Sequence, residues 1–110
     1  KNIYVLGFSQ GAMICFDFIL YLNQPLGGVF PICGFSRNSK EEINRLHPCQ
    51  LNTEILIGHG IDDDRVPVEA SKKLYFSLKE QGAKVDLILY RGKHKIGMDY
   101  IKKVIKVIMK

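Results

Sequence analysis

Residues 3–16 read IYVLGFSQGAMICF, and this stretch decides the fold. Its β-branched and aromatic start predicts a strand, and its nearly all-apolar end predicts a buried helix. Between them, residues 7–11 form a G-x-S-x-G sequence, which in this context presents a nucleophilic serine on a sharp turn. We expect Gly7 and Gly11 to leave room where any Cβ would collide with the neighbouring strand or helix. The same turn would lift the Ser9 hydroxyl clear of the sheet.

The helix after Ser9 also has a predicted role in the chemistry. Its N-terminus would point at any oxyanion that forms beside the serine hydroxyl, because the first amides of a helix have no partner within it. The backbone N–H of Gln10 is therefore the predicted oxyanion donor.

Composition bounds the class of protein. The chain has 110 residues, of which 46% are hydrophobic, which fits one domain or part of one. No apolar run is long enough to span a bilayer, and no signal peptide is visible. Because the chain begins with Lys1 directly at a predicted strand, we expect an internal fragment of a longer protein.

The three cysteines predict free thiols. Cys15, Cys33 and Cys49 are scattered, with neither a C-x-x-C motif nor a histidine at metal-ligand spacing. An odd, scattered set is typical of a reducing compartment, and we expect a cytoplasmic protein. Cys15 and Cys33 lie in apolar runs and should be core residues. No metal or other cofactor is expected.

The net charge of +5 has two interpretations. Six lysines fall between Lys93 and Lys110, which suits either an anionic surface or the solvated face of a terminal helix. Helical spacing favours the second interpretation and predicts one buried stripe, formed by Ile101, Val104, Ile105 and Ile108. Interleaved aromatics are missing, so we expect no nucleic-acid partner. Peripheral contact with a lipid surface stays open.

Strands and helices alternate along the whole chain, which predicts an α/β protein with a parallel sheet and crossover helices. Ligands in such sheets bind beyond the carboxyl ends of the strands. The predicted strands are Asn2–Phe8, Gly28–Cys33, Glu54–Gly58 and Val85–Tyr90. The predicted helices run from Gln10 to about Leu22, from the N-cap Ser39 to about Leu46, from Pro67 to a C-terminal cap at Gly82, and over the lysine-rich end of the chain.

Three predicted loops at that edge carry a serine, an aspartate cluster and a histidine. They hold Ser9, residues 62–64 and His94, in the chain order Ser, Asp, His. A neutral imidazole can take the serine proton during attack, and a buried carboxylate can orient the imidazole. Taken singly, the aspartates also suit a solvated turn, and a histidine beside lysines suits an exposed surface. Their combination favours a catalytic site.

The motifs resemble the phospholipase/carboxylesterase family of α/β-hydrolases, which includes acyl-protein thioesterases and lysophospholipases. GFSQG is typical of that family, and residues 59–67, HGIDDDRVP, match its His-Gly-x-x-Asp-x-x-Val-Pro segment. The resemblance implies that Asp63 is the catalytic acid and that Asp62 and Asp64 are its neighbours. His94, in the segment YRGKH, matches the family's histidine.

Two departures from the family pattern stand out. Family members have further residues upstream, which supply the first strands and a second oxyanion donor. Residues 1–110 are therefore expected to be the C-terminal part of a single α/β-hydrolase domain, with the first strand as a bare edge. Many members have Ser-Gly where this chain has Cys33-Gly34, a position that usually borders the site, so the acyl preference stays open.

The sequence thus predicts a serine hydrolase that cleaves carboxylic esters or thioesters through an acyl-enzyme. Ser9 would attack, His94 would act as general base and then as general acid, and Asp63 would orient His94. The alternative is a non-catalytic hydrolase-like fragment or subunit that acts in binding or assembly, and its bare edge also allows a homo-oligomer. Another serine hydrolase, such as a peptidase or dienelactone hydrolase, is the second alternative.

Overall fold

The computed structural model describes residues 3–36 and 45–110. These residues form a parallel four-stranded sheet with helices on both faces. The α/β prediction is therefore confirmed. The short helix predicted to start at Ser39 lies outside the described residues, apart from residues 45–46, which are not helical. The strands are β1 (Tyr4–Phe8), β2 (Gly28–Ile32), β3 (Glu54–Gly60) and β4 (Lys84–Tyr90), and the helices are α1 (Gln10–Tyr21), α2 (Val68–Glu80) and α3 (Met98–Ile108).

Strand order follows chain order, β1-β2-β3-β4, and each neighbouring pair is parallel. All carboxyl ends therefore meet at one edge of the sheet. The sheet lies between two apolar cores, because each strand sends alternate side chains to opposite faces. One core packs under α1 and α2 and includes Phe16, Ile19, Ile57, Leu74 and Leu78; the other packs under α3 and includes Phe30, Ile32, Leu56, Tyr100 and Val104.

Two strands, β2 and β3, end at a different residue from the one predicted. β3 continues two residues beyond Gly58, because its end pairs with β4 as far as Gly60 opposite Tyr90. β2 stops at Ile32, because Cys33 has a left-handed backbone with φ of 53°. The predicted C-terminal cap at Gly82 is confirmed, with φ of 87° just after α2.

The predicted buried stripe of the last helix is partly wrong. Val104 is buried as expected, but Ile105 and Ile108 are 53% and 41% exposed. The reason is Tyr100, which is fully buried and donates its hydroxyl to the carbonyl of Leu56. Its ring occupies the space that a Cβ at Gly58 would fill, and this anchor turns α3 about its axis relative to the predicted stripe.

Within residues 3–36 and 45–110, no helix is both long and apolar enough to cross a membrane.

Candidate active site

Ser9 is the single residue between β1 and α1, and its backbone lies in a sparsely populated region, with φ of 61° and ψ of −113°. Its amide donates to the carbonyl of Ile32 at 2.8 Å, and its own carbonyl accepts from the amide of Ala12 at 3.0 Å. Bonds on both sides hold the strained turn in place. The Ser9 hydroxyl consequently lies at the carboxyl edge of the sheet.

The two glycines of the turn differ. A Cβ on Gly7 would lie 2.3 Å from the carbonyl oxygen of Gly11 and 2.9 Å from Sγ of Cys15, so Gly7 is required as predicted. A Cβ on Gly11 would meet no atom of the described residues within 4 Å, so the same expectation for Gly11 is wrong. A Cβ at this second position of α1 would enter open space.

Asp63 differs from its two neighbours in burial and bonding. Its side chain has no exposed area, whereas Asp62 and Asp64 are exposed. Its Oδ1 accepts from the amides of Arg65 at 2.8 Å and Val66 at 2.9 Å. Burial by itself raises the pKa of Asp63, but these hydrogen bonds and one from His94 outweigh it and lower the pKa to about 2. Asp63 is therefore ionised at neutral pH.

His94, in the loop after β4, links the serine to the aspartate. Its Nδ1 lies 2.8 Å from Oδ2 of Asp63, and its Nε2 lies 2.9 Å from Oγ of Ser9. An ionised carboxylate only accepts, so Nδ1–H donates to Asp63 and Nε2 accepts from the Ser9 hydroxyl. The ring also packs on Phe8, with centroids 4.9 Å apart, and its side chain is 10% exposed.

A second imidazole contacts the same aspartate. His59, fully buried in β3, has its Nε2 2.8 Å from the carbonyl of Val66 and 3.3 Å from Oδ2 of Asp63. Its Nδ1 lies 2.6 Å from Oγ of Ser71. Since the Val66 carbonyl only accepts, Nε2 carries the proton and Nδ1 accepts from the Ser71 hydroxyl. His59 thus braces the loop that holds Asp63.

Cys33 forms a further support beneath the site. Its Sγ lies 3.3 Å from the hydroxyl of Tyr90 and 3.5 Å from the carbonyl of Lys95, and Tyr90 donates to that same carbonyl. Burial raises the pKa of the Cys33 thiol, which is therefore protonated at neutral pH. Since Lys95 follows His94 directly, these contacts fix the His94 loop to the ends of β2 and β4.

The structure thus brings Ser9, Asp63 and His94 into one hydrogen-bonded chain, while Asp62 and Asp64 take no part in it. Gln10 is the first residue of α1 and lies next to Ser9, as expected for an oxyanion donor. The sequence analysis did not find His59, Ser71 or the role of Cys33. The His-Gly segment was a usable signal for His59; nothing local marked the other two.

Known proteins with the same fold show which family this chain belongs to. The fold is shared with solved structures: Arabidopsis thaliana SOBER1 at a TM-score of 0.83 and 28% identity, and esterase PE8 at a TM-score of 0.81 and 27% identity. The matches cover 96% of this chain in both cases, and 51% and 48% of those chains. The fold is that of an α/β-hydrolase. The chain belongs to the phospholipase/carboxylesterase family, which it matches over residues 1–110.

Curated relatives agree with that membership. The chain is 27% identical to Acyl-protein thioesterase 1 of Kluyveromyces lactis over all of its own length, and 30% identical to Carboxylesterase SOBER1 of Arabidopsis thaliana over 84% of it. It spans 50% and 40% of the lengths of these two relatives.

Proposed function

We propose that the protein is a serine hydrolase that cleaves carboxylic esters or thioesters, with Ser9 as nucleophile, His94 as general base and Asp63 as orienting acid. One observation carries the proposal: the unbroken hydrogen-bonded chain from Ser9 Oγ through both ring nitrogens of His94 to Oδ2 of Asp63. Such a chain activates a hydroxyl that is otherwise a poor nucleophile near neutral pH.

The chemistry follows from the tautomer of His94. Nε2 takes the Ser9 proton as Oγ bonds to the acyl carbon, and the carbonyl electron pair moves onto its oxygen. Collapse of this intermediate expels the alcohol or thiol, which takes the proton back from Nε2. Water then repeats the sequence on the acyl-enzyme and releases the acid. Asp63 stays ionised throughout, in keeping with its lowered pKa, and stabilises the imidazolium.

The Gln10 amide is proposed to hold the oxyanion. As the first residue of α1 it offers an N–H without a partner inside the helix, at the positive end of the helix dipole. Removal of one such donor costs about 10²–10³ in kcat. In the family a second donor comes from upstream residues, and we propose that residues 1–110 are the C-terminal part of one α/β-hydrolase domain that contains both.

The substrate is proposed to be an acylated protein, a lysophospholipid or a small acyl ester. The names of the relatives, an acyl-protein thioesterase and a carboxylesterase, support the acylated protein and the small ester. The lysophospholipid is proposed from the family's description as phospholipase/carboxylesterase. A cytoplasmic location is proposed from the three free thiols Cys15, Cys33 and Cys49. Neither a metal nor a cofactor takes part in the proposed reaction.

Labelling with a fluorophosphonate probe tests the proposal directly, because the probe phosphonylates an activated serine. We expect one adduct per chain, mapped to Ser9 by mass spectrometry, and loss of both the adduct and ester hydrolysis in Ser9→Ala. The matched control is Ser77→Ala on α2, which should label fully. A folded, intact protein without an adduct would instead support a non-catalytic, hydrolase-like subunit.

A further inference from the structure

We propose that Cys33, Asp63 and His94 form an inhibitory site for a thiophilic divalent cation, of the chemical class of Zn²⁺ and Cd²⁺. Inhibition as an outcome rests on the proposed function, whereas binding of the ion does not. The thiol, one carboxylate oxygen and one imidazole nitrogen lie within 4.8 Å of one another. The three donors come from the ends of three different strands, so no spacing along the chain predicted the group.

The geometry suits a small ion after a modest adjustment. Zinc binds sulfur at about 2.3 Å and nitrogen or oxygen at about 2.0–2.2 Å, so donors around it sit roughly 3.3–3.7 Å apart. The contact between Asp63 and His94, now 2.8 Å, has to open by roughly half an ångström to reach that range. The donors that are farther apart, at up to 4.8 Å, have to close by roughly 1 Å. The carbonyl of Lys95, 3.5 Å from Cys33 Sγ, or a water can complete the four-coordinate set.

The charges of the donors also suit a divalent ion. Asp63 is ionised already, and a thiol that coordinates a metal is deprotonated outright despite burial. Carboxylate and thiolate together neutralise the two positive charges, which removes the cost of placing an unpaired ion in a buried site. The thiolate is the soft donor that selects Zn²⁺ or Cd²⁺ over Mg²⁺ and Ca²⁺.

Binding of the ion would stop His94 from acting as a base, because it changes the tautomer of the ring. The ion takes the lone pair of Nδ1, the proton of that nitrogen moves to Nε2, and the imidazole stays neutral. Nε2–H then donates to Ser9 Oγ instead of accepting from it, so the hydroxyl has no base. The thiol proton of Cys33 leaves to solvent, and one proton is released per ion bound.

The inhibition should depend on Cys33, because its thiolate is the soft donor of the set. A serine at this position would offer only a neutral hydroxyl, which is a poor ligand for a thiophilic ion. Cys33→Ser is therefore a conservative replacement that removes the soft donor. Loss of a contact that supports a metal ligand weakens metal binding by about 10- to 100-fold. Loss of Cys33, a direct ligand, should weaken it by more than that.

The experiment titrates Cd²⁺ into the intact protein and follows the ultraviolet sulfur-to-metal charge-transfer band, together with proton release. We expect one ion and one proton per chain in the wild type, in the control Cys49→Ser, and in Ser9→Ala, which keeps all three donors. In Cys33→Ser the band should vanish and the affinity fall more than 100-fold. Zn²⁺ should inhibit ester hydrolysis, reversibly with a chelator, in the wild type and in Cys49→Ser only.

Two results would overturn the proposal. One is Zn²⁺ inhibition of Cys33→Ser at the wild-type concentration, and the other is an absent charge-transfer band in the folded wild type. A thermal melt of Cys33→Ser establishes that the variant is folded. Failure of the proposed function gives a different pattern, since an inactive protein that Ser9 probes do not label would still bind Cd²⁺ through Cys33.

Discussion

Nε2 of His59 lies 3.3 Å from Oδ2 of Asp63, the same oxygen that accepts a hydrogen bond from His94. One carboxylate oxygen therefore faces two imidazoles, one fixed inside β3 and one in a surface loop. The buried imidazole defines where the carboxylate sits, and the carboxylate in turn sets the orientation of the other ring. His59 is thus a positioning residue for the proposed active site.

Replacing His59 should affect both stability and turnover. His59→Leu leaves the Ser71 hydroxyl and the Val66 carbonyl without their partner, at a cost of about 1–3 kcal/mol for each buried group. We expect kcat/KM to fall by about 10- to 100-fold, since a misplacement of 1 Å costs about 10². Ser71→Ala is the control, because it keeps the Nε2 contact and should lower stability with little change in kcat. Equal kinetic losses in both variants would exclude a positioning role.

Only one of the three consecutive aspartates should matter for catalysis. Asp63→Asn is expected to lower kcat/KM by about 10⁴, because an amide no longer favours the required tautomer of His94. Asp62→Asn and Asp64→Asn change exposed side chains outside the hydrogen-bonded chain and should stay within a few-fold of the wild type. Ester hydrolysis by the three single variants checks this. A larger loss at either neighbour would refute the assignment to Asp63.

The glycines of the serine turn should respond in opposite ways to alanine. Gly7→Ala forces a methyl group to within 2.3 Å of the Gly11 carbonyl oxygen and should cost about 1–3 kcal/mol, as overpacking does. Gly11→Ala places the methyl in open space at a helical position and should gain up to about 1 kcal/mol. Denaturant unfolding measures both. If Gly11→Ala were the more damaging change, the described packing of the turn would be wrong.

The three thiols should react with iodoacetamide in an order set by burial. Cys15 is fully buried, and burial raises its pKa to about 12, so at pH 8 only about one thiol in 10⁴ is ionised. Cys49 is half-buried and should react first. Peptide mass spectrometry over time, with and without denaturant, gives the order. Alkylation of Cys15 in the native protein as fast as that of Cys49 would contradict the prediction.

The 110-residue chain, expressed alone, is predicted to self-associate. Among the described residues β1 pairs only with β2, and apolar side chains of β1 and α1 are about half exposed, such as Leu6 at 49% and Ile14 at 48%. Open strand edges and apolar patches drive association. Leu6→Lys should reduce it in analytical ultracentrifugation, whereas Phe76→Lys, a change at a 61% exposed position on α2, should not. A wild-type monomer with a cooperative melt would contradict this prediction.

Sequence patterns predicted those parts of the molecule that local chemistry determines. The turn at Ser9 follows from five neighbouring residues between a predicted strand and a predicted helix, and the parallel sheet follows from alternating strands and helices. The positions of Asp63 and His94 at one edge then follow from topology alone. The hydrogen bonds of His94 to Asp63 and to Ser9 are present, and the catalytic roles of the three residues stay predictions.

The parts that were missed depend on contacts between distant residues. Cys33 meets Tyr90 across 57 positions, and no periodicity encodes that pairing. The face of α3 was misjudged because two overlapping stripes both have helical spacing. The face that contains Tyr100 is the buried one because the Tyr100 ring fills the space left by the missing side chain of Gly58 in β3. The sequence of α3 alone does not contain that information. Gly11 was misjudged because a motif fixes residue types without the direction of each Cβ.

Ser9 precedes its hydrogen-bond partner His94 by 85 residues. Because strand order in the sheet follows chain order, the serine turn of a growing chain leaves the ribosome before the His94 loop does. Domains tend to fold from the N-terminus during synthesis. The Ser9 hydroxyl therefore has no base until β4 and the His94 loop have been made, and the nascent protein should become reactive toward esters only from that point.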